Sequence, residues 1–86
     1  MYYVYVLKSL SKQNKFYIGY SADLKARVTS HDQGQNTSTK YHRPWELIYY
    51  EAYKSASLAR DRESILKQRG KTWQTLRKRL LSEYDT

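Results

Sequence analysis

Tyr2-Tyr3-Val4-Tyr5-Val6-Leu7 and, after a short polar stretch, Phe16-Tyr17-Ile18-Gly19-Tyr20 decide the fold. Both runs are rich in β-branched and aromatic residues, which suit a pleated, partly buried backbone. In the first run Tyr3, Tyr5 and Leu7 fall on one face and Tyr2, Val4 and Val6 on the other. A strand that is apolar on both faces is a central strand. The residues between the runs, 9–15, are polar and read as a turn, so the two strands form an antiparallel hairpin. Gly19 sits two residues beyond Tyr17 on the same face; a glycine inside a strand marks a bulge or a close approach to the backbone.

Outward from the hairpin the chain turns helical. Ser21 offers an N-cap and Asp23 an anion for the first turn, so a helix is expected from about Ala22 to Gln33, with Gly34 as its stop. Residues 35–45 are polar, hold the single proline, Pro44, and read as a loop. Glu46 to Tyr53 reads as a third strand. Ser55 or Ser57 caps a second helix that reaches about Arg69, where Gly70 breaks it. A third helix, about Thr72 to Ser82, has Trp73, Leu76, Leu80 and Leu81 as its apolar side. The order is β-β-α-β-α-α. Three strands cannot shield both faces of their own sheet, so the expectation is an α+β fold, a three-stranded antiparallel sheet flanked by helices. At 86 residues the chain is expected to be one domain, residues 1–86.

Composition narrows the classes of function. There is no cysteine, so neither a disulfide nor a thiolate metal site is available, and a cytoplasmic setting is expected. With two histidines, His31 and His42, a structural zinc site is not expected. The apolar N-terminal run meets Lys8 and is far too short to span a bilayer. Lysine and arginine total 16 against 8 acidic residues, a net charge of +8. That excess points to a polyanionic partner, most often nucleic acid.

Some residues sit oddly in this pattern. Leu24, Arg27, Val28 and His31 form one stripe of the first helix. Leu24 and Val28 should face the sheet, which brings Arg27 and His31 to or beside the packed side. One reading makes Arg27 a rim residue with its stem on the core and His31 a satisfied boundary residue; another turns both toward a cleft. In the second helix Glu63 lies at the edge of the buried stripe. It pairs with Lys67 one turn on, worth about 0.3–0.5 kcal/mol, or it faces a cleft and holds a divalent cation.

Read together, these residues resemble the GIY-YIG nuclease superfamily. Tyr3-Val4-Tyr5 stands where that family has its first tripeptide and Tyr17-Ile18-Gly19 stands as the second. Asp23-Leu24-Lys25-Ala26-Arg27-Val28-Thr29-Ser30-His31 is similar to the family's helix with its arginine and histidine. Ser38-Thr39-Lys40, Arg43-Pro44-Trp45-Glu46-Leu47, Tyr49-Tyr50-Glu51 and Ala59-Arg60-Asp61-Arg62-Glu63-Ser64-Ile65-Leu66-Lys67 resemble a small bacterial branch. The likeness covers about residues 2–73. Tyr3 replaces the glycine of the first tripeptide, and Tyr20 stands where the excision-repair branch has a lysine.

The resemblance implies hydrolysis of a phosphodiester with one divalent ion, Mg2+ or Mn2+. It implies a DNA substrate in repair or in processing of structured DNA, and a protein partner or homodimer that supplies specificity. By position, Tyr5 would stand at or help activate the attacking water, with Tyr17 beside it. Arg27 would face the phosphate, His31 would assist proton transfer or position the tyrosine, and Glu63 would ligate the metal. Lys40, Arg43, Arg62, Lys67 and Lys71 are the expected nucleic-acid contacts.

The chemistry suits these groups. A phosphodiester is anionic, and attack on it requires charge neutralisation and an in-line water. A hard cation can be held by one carboxylate with water and phosphate oxygens, and a guanidinium fork matches phosphate oxygens. The competing expectation is a non-catalytic module that binds phosphates through the basic last helices and stacks bases on Trp45 or Tyr41. A third is an adaptor that docks an acidic protein.

Overall fold

In the computed structural model, which describes residues 1–84, the first strand is the middle one, as its two apolar faces require. Strand β1 (Tyr2–Ser9) lies between β2 (Phe16–Ser21) and β3 (Trp45–Tyr53), and both pairings are antiparallel. Helices α1 (Leu24–Asp32), α2 (Ala56–Lys67) and α3 (Lys71–Tyr84) complete the order β-β-α-β-α-α. A single 3-10 turn, Lys40–His42, breaks the loop before β3.

Register decides which side chains meet. Tyr5 pairs with Gly19 of β2 and with Tyr50 of β3; Leu7 pairs with Tyr17 and Leu47. Between Val6 and Leu7 the β3 register shifts by one, leaving Ile48 as the extra residue of a bulge. Even-numbered residues of β1 and β2 therefore face one layer and odd-numbered residues the other. Val4, Val6, Phe16 and Ile18 join Ala59 and Leu66 of α2 and Trp73 and Leu80 of α3 in the larger core. The edge of the Phe16 ring meets Trp73, with centroids 5.6 Å apart. Tyr5, Leu7 and Trp45 form a smaller core on the other face, closed by Leu24 and Val28 of α1.

The helix ends depart from expectation in instructive ways. The cap of α1 is Asp23, whose carboxylate accepts from Ala26 N at 3.1 Å, and not Ser21. Ser21 is still the last residue of β2, paired with Tyr3, so its hydroxyl is used one step earlier, accepting from Asp23 N at 2.9 Å. The helix starts two residues later than expected for that reason. Ser55, not Ser57, caps α2. That helix ends at Lys67, and the left-handed residue after it is Arg69 (φ +57°) and not Gly70. A non-glycine residue there costs about 1–2 kcal/mol. Contacts of the Arg69 side chain offset it: the guanidinium lies 4.9 Å from the Trp73 ring centroid and donates to Phe16 O at 3.3 Å. Helix α3 extends one residue before and two beyond its expected bounds.

Candidate active site

The small face of the sheet carries the chemistry-bearing residues. Tyr5 projects from the middle of β1 and is 1% exposed. Its ring lies across Gly19 on the neighbouring strand. A Cβ at Gly19 would collide with the Tyr5 phenol oxygen, which is why that strand position is a glycine. The expected close approach is thus that of a side chain to the backbone.

His31, in the last turn of α1, is fully buried. Its Nε2 lies 2.9 Å from the Tyr5 oxygen and its Nδ1 lies 2.8 Å from Thr39 Oγ1. Thr39 is itself sealed and its hydroxyl lies 3.4 Å from Asn36 O. Asn36 O also accepts from Thr39 N and Lys40 N, each at 3.1 Å, so the Thr39 hydroxyl is free to donate either to it or to His31 Nδ1. A neutral imidazole bonds both partners in either tautomer, donating from one ring nitrogen and accepting at the other. The result is a continuous chain, Tyr5 to His31 to Thr39 to Asn36. The indole of Trp45 holds the far end, donating to Thr39 O at 2.8 Å.

Electrostatics set the protonation of the pair. Burial, then the Arg27 charge, lowers the His31 pKa below its ordinary 6.5, while Asp32 opposes them. The ring is therefore neutral near pH 7. Burial pushes the Tyr5 phenol well above its usual value, and Tyr17 and Glu63 add to the rise while Arg27 opposes it. Tyr5 keeps its proton.

Tyr17 is half-buried. Its ring centroid lies 4.8 Å from that of His31 and 6.3 Å from that of Tyr5. Lys67 of α2 stands 5.9 Å from the Tyr17 centroid and pairs with Glu63 at 3.2 Å. Glu63 comes from the opposite layer, yet its side chain is 20% exposed and its charge is felt at Tyr5. Helix α2 lies over β1 and β2, and its Lys67 reaches the ring of the edge strand's Tyr17. Tyr5, Tyr17 and His31 are thus in direct contact. Arg27, exposed on α1, and Glu63 couple to them through charge. The i, i+4 pair of Glu63 with Lys67 is present.

The expected basic contacts separate. Lys40 and Arg43 flank the 3-10 turn that follows Thr39, with Lys40 4.9 Å from the Tyr41 ring centroid and Arg43 Nε donating to Lys40 O at 2.9 Å. Arg62 is held on the other face of the sheet. Its Nε and one terminal nitrogen donate to the two Glu51 oxygens, each at 2.9 Å. Tyr49 and Tyr53 donate to the same carboxylate at 2.5 and 2.6 Å. Burial resists ionisation of Glu51, but the bonds from Arg62, Tyr49 and Tyr53 outweigh it and hold the carboxyl below its usual range. Lys71 also lies on that face, in the first turn of α3. Trp45 is 4% exposed with its N–H occupied, so base stacking on it is corrected; Tyr41, 78% exposed, stays available.

A concavity of about 630 Å³ lies on the far flank of α1, lined by Tyr3, Leu24, Lys25, Val28, Thr29 and Tyr50 among others. It does not include Tyr17, Arg27 or Glu63. An extended polymer lying on an open surface needs no enclosed cavity, so the side-chain geometry is the better guide to the site.

The family model of the GIY-YIG catalytic domain matches residues 1–77. The chain belongs to the GIY-YIG family. Relatives include UPF0213 proteins of Streptococcus pyogenes serotypes M3, M1 and M4, each 38% identical over 68 residues, covering 78% of this chain and 72% of the relative. No solved structure gives a significant match. This is a family of nucleases, and its members generally depend on a divalent metal. Among the described residues of this GIY-YIG domain no group of three or more His, Cys, Asp or Glu gathers. Glu63, the expected ligand, would offer a single carboxylate, which would fit a hard cation that completes its shell with water and substrate oxygens and would not fit a closed protein cage. Among the described residues no helix is long and apolar enough to cross a membrane.

Thr39 and Asn36 were not singled out from the sequence. They sit in a polar loop; the burial of Thr39 against His31, and its hydroxyl's bond to Asn36 O, distinguish them.

Proposed function

We propose that this GIY-YIG domain, residues 1–86 as one unit, is a metal-dependent endonuclease that hydrolyses phosphodiester bonds in structured DNA, with a protein partner or a second copy supplying specificity. The observation that carries this reading is the Tyr5–His31–Thr39 chain, with His31 Nε2 2.9 Å from the Tyr5 phenol oxygen; we assign the ring proton to Nδ1, so that Nε2 can accept. In hydrolysis the water oxygen bonds to phosphorus and gives up a proton, while one bridging P–O bond breaks, its electron pair staying on the leaving oxygen, which takes a proton from solvent. Tyr5 takes that proton on its oxygen as it passes its own to Nε2 of His31. No phenolate accumulates, which suits a phenol whose pKa is raised. Both groups are sealed from bulk solvent, so the relay opens only to a water carried in with the substrate.

Tyr17, the more exposed of the two tyrosines, lines the approach and packs the His31 ring in place. Arg27 offers its fork to the non-bridging phosphate oxygens. Glu63 would hold Mg2+ or Mn2+, which when bound neutralises phosphate charge; Lys67 at its side then turns to the backbone. Lys40 and Arg43 bind flanking phosphates. The test is nicking of supercoiled, branched and single-stranded DNA with Mg2+ and with Mn2+. The wild type is expected to nick, and Glu63→Ala to fold and fail. Absence of nicking on every substrate with either ion overturns the enzymatic reading and leaves a basic nucleic-acid-binding module.

A further inference from the structure

A second basic concavity, about 530 Å³, lies on the opposite side of the sheet from Tyr5 and His31. It is lined by Tyr49, Arg62, Lys71, Thr72, Thr75 and Arg79. Three of these are cations and none of the lining residues is acidic. The Glu51 carboxylate lies behind Arg62 and is bound by it and by two tyrosines. That network fixes the guanidinium at the floor of the groove, so little side-chain freedom is lost when it binds an anion. Lys71, Thr75 and Arg79 follow one another at every fourth residue of α3 and form a single stripe along it. The stripe is about 12 Å long at 1.5 Å per residue, more than one phosphate group occupies. Thr72 and Thr75 add hydroxyl donors, and the N-terminal turn of a 14-residue helix adds a favourable dipole.

We propose that this groove binds successive phosphates of a nucleic-acid strand, and that the strand segment held there is not the one cut at Tyr5. The sheet lies between the two sites, so a single straight duplex cannot fill both. The proposal rests on the nuclease reading for the identity of the polymer, and a substrate that folds back or branches would offer the two segments. Arg62 and Lys71 then contact nucleic acid as the sequence suggested, but on the back of the domain.

The experiment is done without divalent cations, so no cleavage intervenes. Wild-type protein is titrated with inorganic phosphate and with a short single-stranded DNA, and the amide resonances of Thr72 and Thr75 are followed. Strand affinity is then measured against salt for wild type and for the Lys71→Glu, Arg79→Glu double variant. Both ligands are expected to shift Thr72 and Thr75. The double variant should bind the strand roughly tenfold more weakly, with a salt slope shallower by about 1.4, that is about 0.7 for each lost phosphate contact on a single strand. Silent Thr72 and Thr75 amides overturn the site, as does an unchanged slope. Shifts with phosphate but not with the strand overturn the strand assignment. A protein that binds here but never nicks overturns the nuclease reading alone, whereas one that nicks with this groove silent overturns this proposal alone.

Discussion

The two faces of the sheet are built from the same three strands and behave as different materials. The face under α2 and α3 is an apolar core in which Val4, Val6, Ile18, Leu66 and Trp73 are 2% exposed or less. The face under α1 is as well sealed at Tyr5, His31 and Thr39, but those three are joined by hydrogen bonds and not by apolar contact alone. Alternation along β1 puts Val4 and Val6 on one side and Tyr5 on the other. The comparison teaches a division of labour: one face supplies the stability that lets the other hold polar groups in a fixed order.

That division can be broken from either side. The largest effect on stability is expected at Leu66→Ala, which opens a cavity in the apolar face and should cost about 2–5 kcal/mol in denaturant unfolding. Its nicking rate per folded molecule should stay near that of the wild type. Gly19→Ala strikes the other face. A methyl group there meets the Tyr5 phenol, so a loss of about 1–3 kcal/mol is expected, together with a lower nicking rate, because the phenol must move. Equal rates for Gly19→Ala and wild type would show that the Tyr5 position is unimportant.

Thr39→Val keeps the shape and removes the hydroxyl bonded to His31 Nδ1. Leaving that nitrogen buried and unpaired should cost about 1–3 kcal/mol and loosen the ring's orientation toward Tyr5, so activity falls while substrate affinity holds. The smallest effect is in pH. The folded pKa of His31 lies below its unfolded value near 6.5, so the folded state binds fewer protons in that window. Stability is fully present above pH 6.5, and this contribution is lost as the pH falls from 6.5 through the folded pKa. Replacing His31 by glutamine should flatten that part of the stability profile.

Much of this was legible in the sequence because it depends on period alone. The two-sided apolar run of Tyr2–Leu7 announced a central strand, and the stripe of Leu24, Val28 and His31 announced which side of α1 is buried. Gly19 announced a close approach. What escaped depends on contacts between distant residues. The Arg62 partner, Glu51, is 11 positions away on another element, so nothing local shows that its charge is engaged. Thr39 lies in a loop of small polar residues, and its burial is set by where the chain folds over His31. Ser21 looked like a cap because a serine precedes the helix; the strand that still claims it is visible only once Tyr3 is seen opposite. Trp45 read as a stacking platform until its N–H was found bonded to Thr39 O.

The most direct test is the nicking rate of Tyr5→Phe, measured beside its unfolding free energy. The substitution removes one oxygen from the polar face and leaves the apolar face intact. The expected protein still folds, less stable by about 1–3 kcal/mol because His31 Nε2 is left buried without its partner, and nicks about 100-fold or more slowly. A Tyr5→Phe protein that is folded and nicks at the wild-type rate would contradict it.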